Sequence, residues 1–466
     1  MNEARATARA RGPVPQLRRP VAPGAPATTA VRRAPRVAPA PPGSLLRLSF
    51  LAFVFSIPFE SADLGQPVTL SKIFGYLFLL VAASEPRTCF RRSPRAMRWF
   101  VAYLVVYVLL GIPQAGEYVG EVAVRLFTLV QMLILLWVAY NLLRRERTVN
   151  EMLGAFCLAC FVLALLQLGG VTSTTQDWRD VERVTALRQN PNELAGVLAL
   201  GLVALTGLVA RRKRAGTRRS LVSLGAFAVI ALATVQTGSR GGVLALGLGL
   251  LVFLRGSGAR WSRARNALLV LAAMGIVVWI STRSETALVR WHATLETGNL
   301  AGREAIYPEA WRMFLERPIA GWGPVKHVYE LGSRVADAAV DGKTDTHNLV
   351  LWLLTETGVL GLAPFAFALW LCARGALRAR RGPEGVLPLA LLATMLALSM
   401  SGTWQFRKLF WLVLAYALAA GSGPLVRRTA RPAAQPARVP VHRGRRAAPV
   451  AQPSPGRERA ARLPHR

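Results

Sequence analysis

Acidic side chains are scarce in this chain. Only 24 Asp and Glu stand against 58 Lys and Arg, leaving a formal net charge of +34. Charge of either sign is thin as well, at 18% of residues, where a soluble protein carries about 25%. Cysteine is limited to Cys89, Cys157, Cys160 and Cys372. Cys89 falls in a short basic stretch and the others in or at apolar runs, so no disulfide framework is expected. Cys157-x-x-Cys160 has the spacing of a redox motif, but in an apolar run such a pair reads as two small packing residues. The five His do not cluster. No zinc constellation is visible, and no metal or cofactor is expected. Nor is a signal peptide: residues 1–44 are too long and proline-rich for its charged start, and no convincing cleavage site follows the first apolar run.

What the chain has is apolar sequence, with 53% hydrophobic residues. About twelve apolar segments can be marked off, at 45–59, 68–84, 97–113, 122–142, 151–170, 193–210, 220–235, 241–254, 267–281, 348–371, 385–401 and 404–422. Runs of about twenty such residues have the length of a bilayer-spanning helix. The predicted fold is therefore all-α: a polytopic membrane protein of about twelve transmembrane helices, occupying residues 45–423. Segments 1–44 and 424–466 are rich in Ala, Pro and Arg and cannot bury a core, so they read as disordered basic tails.

The basic residues are not spread evenly. The two tails and the alternate connections "EPRTCFRRSPRAMR", "RRERT", "RRKRAGTRR", "RGSGARWSRAR" and "CARGALRARRG" together hold 41 Lys and Arg. The remaining connections, including the long ones at 171–192 and 282–346, hold 12. Cytoplasmic loops carry the excess of Lys and Arg, so both termini are expected in the cytoplasm. In a soluble chain this charge would point to nucleic acid. Here topology accounts for it, and no nucleic-acid partner is needed.

On that topology the large 282–346 loop and three shorter stretches share the outer face. Within the loop, Ile306, Ala310, Met313 and Phe314 recur at helical spacing. Glu309, Arg312 and Glu316 take another face at ion-pair spacing. This predicts an amphipathic helix over 303–317. It either lies over the membrane mouth or simply packs on the bundle, and the two are compatible. "LRQNPNELAG", 187–196, offers Asn190 as N-cap, Pro191 at the first helical position and Glu193 where a capping-box carboxylate sits. A helix N-terminus is a ready anion site, and Arg188 stands two residues before the cap. "TGSRGG", 237–242, is a tight turn from which Arg240 projects. An interfacial Arg often merely snorkels to headgroups. Two of them beside anion-friendly backbone, on the face that carries His347, suit a pyrophosphate. His347 heads the tenth apolar segment, where an imidazole can act as a base near neutral pH. Asn348 is placed to cap that helix. Glu356 is not a partner for His347: nine residues turn a helix by about 900° and carry it to the opposite face, roughly 13 Å on. It reads as paired inside the bundle.

Together these motifs resemble the O-antigen ligase and polymerase superfamily of polytopic glycosyltransferases. The resemblance rests on "GREAIYPEAWRMFLERPIAGWGP" followed by "THNLVLWLLTETGVLGL", with "RQNPNELA" and "TGSRGG" before them. The family's His-Asn, Leu and Glu-x-Gly-x-x-Gly pattern corresponds to His347, Asn348, Leu354, Glu356, Gly358 and Gly361. Its Pro-x-x-Gly-x-Gly element corresponds to Pro318, Gly321 and Gly323. Tyr307 stands where the family often has Trp, and the long basic tails lie outside the pattern.

The resemblance implies a reaction. The donor would be a glycan on a polyprenyl diphosphate at the outer leaflet, and the acceptor a sugar hydroxyl on lipid A core or another glycan. His347 would activate that hydroxyl. Arg188 and Arg240 would bind the diphosphate, with Arg303, Asn348, Glu356, Gly321 and Gly323 as support. The family is regarded as metal-independent and inverting, and cationic stabilisation of a diphosphate leaving group can replace a metal. The protein would sit in the cytoplasmic (inner) membrane with its site facing the periplasm. Repeat-unit polymerase and protein O-oligosaccharyltransferase share these motifs. A metal-dependent polyprenyl-phosphate sugar transferase would need more acid than the Glu60 and Asp63 of "FESADLG". A glycan flippase would be expected to show internal repeats and charges deep in the helices, where Lys72 is the main charge noted.

Overall fold

The computed structural model describes residues 42–62, 68–176, 182–211, 217–255, 260–298, 300–335 and 340–422. The expected tails lie outside the described residues apart from 42–44.

Each apolar segment contains a helix. In chain order these are α1 (Ser44–Ser56), α2 (Leu70–Ser84), a single turn α3 (Pro86–Cys89), α4 (Arg95–Gln114), α5 (Val119–Leu142), α6 (Glu146–Leu168), α7 (Pro191–Arg211), α8 (Thr217–Gln236), α9 (Arg240–Val252) and α10 (Arg260–Ser281). Three more, α11 (Glu285–Thr297), α12 (Arg303–Glu316) and α13 (Lys326–Arg334), precede α14 (Leu349–Ala379), α15 (Leu387–Leu398) and α16 (Lys408–Gly421). Among the described residues, six helices are long and apolar enough to cross a membrane: 95–114, 116–142, 146–168, 191–211, 264–281 and 349–379. Shorter apolar helices pack among them, including α1, α2, α15 and α16.

Large apolar side chains point outward. Leu80, Leu109, Val124, Phe127, Leu268 and Leu271 are all exposed on α2, α4, α5 and α10. An apolar exterior on this scale suits a lipid solvent, in which helices satisfy their own backbone polar groups. Inside, α14 packs on α4 and α16. Phe100, Tyr103, Phe365 and Trp411 interlock there edge to face.

Two features depart from the sequence reading. Residues 172–186 are not a plain loop: β1 (Thr172–Gln176) and β2 (Glu182–Ala186) pair antiparallel, with Thr172 opposite Ala186. The β-branched run in "VTSTTQ" favours this locally. The all-α reading therefore omits one small hairpin.

The second departure is in α14, which is broken rather than continuous. Gly358 has φ 60° and ψ −157°, a conformation that only glycine adopts easily. The break frees backbone N–H groups, and the segment before α13 satisfies them. Val359 N donates to Pro318 O at 2.9 Å and Leu360 N to Ile319 O at 3.2 Å. In return, Trp322 N and Gly323 N donate to Thr355 O and Glu356 O at 2.8 and 3.0 Å. Close approach requires glycines on both sides. A Cβ on Gly358 would lie 2.3 Å from Ile319 O, and one on Gly321 would lie 2.7 Å from Glu356 C. The Pro-x-x-Gly-x-Gly and Glu-x-Gly elements are thus two halves of one backbone interlock.

α12 buries Ile306, Ala310 and Met313 against Leu331 of α13, with Tyr307, Trp322 and Leu351 around them. Glu309 pairs with Arg312 at 3.1 Å, while Glu316 turns instead to Arg334 of α13 at 2.6 Å. Arg334 also meets Glu309 and Glu330, which ties the two helices together.

Candidate active site

Asn348 starts α14. Its Oδ1 accepts from Val350 N at 2.9 Å and Leu351 N at 3.2 Å, filling two of the helix's orphan donors. His347, just before it, has φ 49°. A non-glycine residue in this region is uncommon and is held there by its surroundings. Its N–H donates to Asp345 Oδ1 at 2.6 Å, and Tyr307 Oη donates to its carbonyl at 3.3 Å. Asp345 is itself fixed by Thr403 Oγ1 at 2.7 Å.

The His347 side chain keeps 45% of its surface accessible, and its Nδ1 lies 3.9 Å from Asp345 Oδ1. It opens into a cavity of about 370 Å³. Burial of the ring within that cleft lowers its pKa; Asp345 and Glu193 oppose the shift and Arg303 adds to it. That direction favours the neutral imidazole, the form a general base needs.

The first turns of α7 and α9 form one wall. Asn190 caps α7, accepting from Asn192 N at 2.9 Å. Ser239 is the N-cap of α9. The two helix starts are joined: Ser239 Oγ donates to Asn192 Oδ1 at 3.0 Å, and the buried Arg183 reaches Asn192 Oδ1 at 3.0 Å and Thr237 O at 2.9 Å. α7 and α9 approach so closely that a Cβ on Gly242 would lie 2.7 Å from Ala195 Cβ. Two helix N-termini therefore face the same cavity, a setting for an anion.

The expected cations are not all at that wall. Arg240 is half-buried and sends its guanidinium to Arg290 O, at 3.1 Å, and to Thr294 Oγ1 on α11. Arg188 is exposed in the turn between β2 and α7, with φ 55°. Neither lines the cavity. Glu193 does line it but closes no capping box: it accepts from Ser61 Oγ at 2.5 Å and pairs with Arg407. Arg303 donates to Ser401 O at 2.9 Å beside the His347 cleft. Glu356 is fully buried and accepts from Tyr103 Oη at 2.9 Å, well away from His347 in the bundle. Gly321 and Gly323 belong to the α14 interlock.

Two cavity-lining cations lay outside the sequence reading: Arg407, just before α16, and Arg125 in α5. Arg125 lies over the rings of Trp352 and Phe406, 5.2 and 5.7 Å from their centroids. One of its terminal nitrogens is buried with no hydrogen-bond partner. A lone Arg in the apolar run "EVAVRLFTLV" was the available signal, since an intramembrane charge marks function by default. His327 lies behind Trp352, ring to edge at 4.5 Å. Burial, with Arg125 nearby, pushes its pKa down to about 3, so it stays neutral. Among the described residues, no three His, Cys, Asp or Glu side chains converge as metal ligands.

The cavity thus combines an imidazole, two helix N-termini and two guanidinium groups in a helical membrane protein. Residues 225–366 match the family model described as O-antigen ligase. That match supports membership of the O-antigen ligase superfamily and, with the apolar helices, a membrane enzyme that moves glycans. The matched stretch runs from α8 into α14 and includes Ser239, Arg240, Arg303, Asp345, His347 and the Gly358 break. Arg188, Arg125 and Arg407 lie outside it. A search of curated proteins found no match.

Proposed function

We propose that this protein transfers a glycan from a polyprenyl diphosphate carrier to a sugar hydroxyl at the outer face of the cytoplasmic membrane. The observation that carries the reading is the placement of His347, accessible, in one cavity with Arg125, Arg407 and the N-termini of α7 and α9. The acceptor hydroxyl attacks the anomeric carbon of the donor sugar. The bond from that carbon to the diphosphate oxygen breaks, the polyprenyl diphosphate leaves, and the hydroxyl proton passes to His347. Charge growing on the leaving diphosphate is stabilised by the helix N-termini and by Arg125 and Arg407. Arg188 and Arg240 flank the same wall and act as outer contacts for the diphosphate or its glycan. Asn348, Tyr307 and Asp345 hold the imidazole, and the 318–323 interlock fixes the helix that carries it.

In this reading the twelve apolar helices all cross the bilayer, both termini are cytoplasmic, and the α12–α13 unit roofs the outer mouth. The segregation of 41 basic residues from 12 supports that orientation. Ligation to lipid A core is the leading form of the reaction. Repeat-unit polymerisation uses the same chemistry and differs only in the acceptor.

The test is reconstitution in liposomes with a lipid-linked glycan and a panel of acceptors. Normal transfer by His347→Ala sinks the mechanism, and loss of wild-type transfer on adding a chelator sinks its independence of metal. The acceptor consumed separates ligase from polymerase.

A further inference from the structure

The far end of α14 carries a second cavity, of about 590 Å³. Arg374 and Arg378 reach it from α14, roughly 40 Å of helical rise beyond Asn348. Arg92 and Arg95 approach from the start of α4, and Arg144 from the turn after α5. Five guanidinium-bearing residues thus line one space. Among the described residues no carboxylate lines it, and none of the five has an ion pair.

Arg144 makes the arrangement more than a solvated basic surface. It is only 7% exposed, and its Nε is buried with no hydrogen-bond partner. Its guanidinium lies 5.9 Å from the centroid of the Tyr140 ring. Burial lowers its pKa, and Arg92 and Arg91 add repulsion. A buried cation among like charges is unstable until a counter-charge arrives.

The walls are fixed. Asn141 accepts from Arg92 N at 3.2 Å and donates to Arg92 O at 2.9 Å, and Trp137 Nε1 donates to the same oxygen at 2.9 Å. Tyr140 Oη and Ser422 Oγ are hydrogen-bonded at 3.0 Å. α4 opens here with Pro94 at its N-cap and no side-chain cap hydrogen bond, so its N-terminal end faces the cavity uncapped by a side chain.

The shape of the ligand follows from these donors. Several planar forks and a helix N-terminus suit a phosphate group. The neighbouring surface is apolar, with Trp99, Trp370 and Leu377 exposed on α4 and α14. A phosphate joined to hydrocarbon fits both parts, and basic pockets between membrane helices hold such headgroups. We propose that this cavity is a binding site for the phosphodiester headgroup of an anionic membrane lipid, separate from the His347 site.

Native mass spectrometry of the full-length protein in mild detergent tests it, with phosphatidylglycerol, phosphatidylethanolamine and inorganic phosphate as separate probes. Phosphatidylglycerol is expected to be retained over phosphatidylethanolamine, and Arg144→Gln to weaken its retention roughly tenfold, the loss of one charge-assisted hydrogen bond. Arg374→Gln with Arg378→Gln, both at exposed positions, is expected to do the same without risk to folding. Equal retention of the two lipids, or wild-type retention by the exposed double variant, refutes the site. Displacement of phosphatidylglycerol by millimolar inorganic phosphate overturns the lipid assignment and leaves free phosphate as the ligand.

Discussion

The two ends of α14 hold positive charge in opposite ways. At the His347 end two cations are matched to acids: Arg407 faces Glu193, and Lys408 meets Glu60 at 2.6 Å. At the Arg374 end five arginines share a cavity that, among the described residues, no carboxylate lines. A matched cation is held in a fixed geometry and adds little net field. An unmatched cluster keeps its field for something that arrives. The first arrangement suits positioning and chemistry; the second suits retention. Arg125 stands apart from those two pairs, since it borders the cleft and has an unpartnered nitrogen.

The sharpest contrast sets one residue from each end against the other. His347→Ala is expected to lower transfer about 10²–10⁴-fold, the usual worth of a general base. Arg374→Gln is expected to leave transfer within about twofold. Both are read in reconstituted liposomes at equal protein. Equal losses would erase the distinction between the ends.

The break between the ends comes next. Gly358→Ala forces a side chain into φ 60° and toward Ile319 O. A loss of at least about 1–3 kcal/mol is expected from strain alone, measured by thermal unfolding in detergent. Unchanged stability would mean that the interlock is slack.

Arg125→Gln is expected to lower kcat/KM for the lipid-linked donor roughly tenfold or more, as one charge-assisted contact is lost. A normal value would make Arg125 a packing residue between Trp352 and Phe406. The matched pair should matter less. A double-mutant cycle on Glu193→Gln and Arg407→Gln is expected to give a stability coupling of about 0.2–1 kcal/mol, because both side chains are partly exposed. A coupling near zero would remove the pairing from the comparison.

The smallest effect is on the pH profile. The acid limb of kcat/KM should fall below the ordinary imidazole range, because burial depresses the His347 pKa. Asp345 raises that pKa, so Asp345→Asn should move the limb to lower pH. Arg303 lowers it, so Arg303→Gln should move the limb to higher pH. Shifts of the opposite sign would unseat His347 as the titrating base.

The helices were legible because apolar periodicity and length are strong signals: every segment marked in the sequence contains one. Asn348 and Asn190 were readable as caps because capping is local chemistry. Glu193 was misread because its partners, Ser61 and Arg407, come from distant parts of the chain. Local spacing fitted a capping box, and tertiary pairing won. Arg240 was placed on the correct turn, but which way a long side chain bends is set by α11 packed beside it. Arg125 was overlooked inside an apolar run, where a single charge barely changes the average. The break in α14 was written as glycines at two separate places, and only the fold shows that they meet.

That meeting constrains how the protein is made. Pro318 and Ile319 leave the ribosome before Val359 and Leu360, yet their carbonyls must receive those two N–H groups. Until they do, α14 enters the bilayer with donors open to hydrocarbon, each worth several kcal/mol. The membrane helix therefore settles only after the preceding segment folds back onto it. A variant with a faulty 318–323 strap is therefore expected to accumulate less in the membrane than the wild type, measured on membrane fractions at equal synthesis.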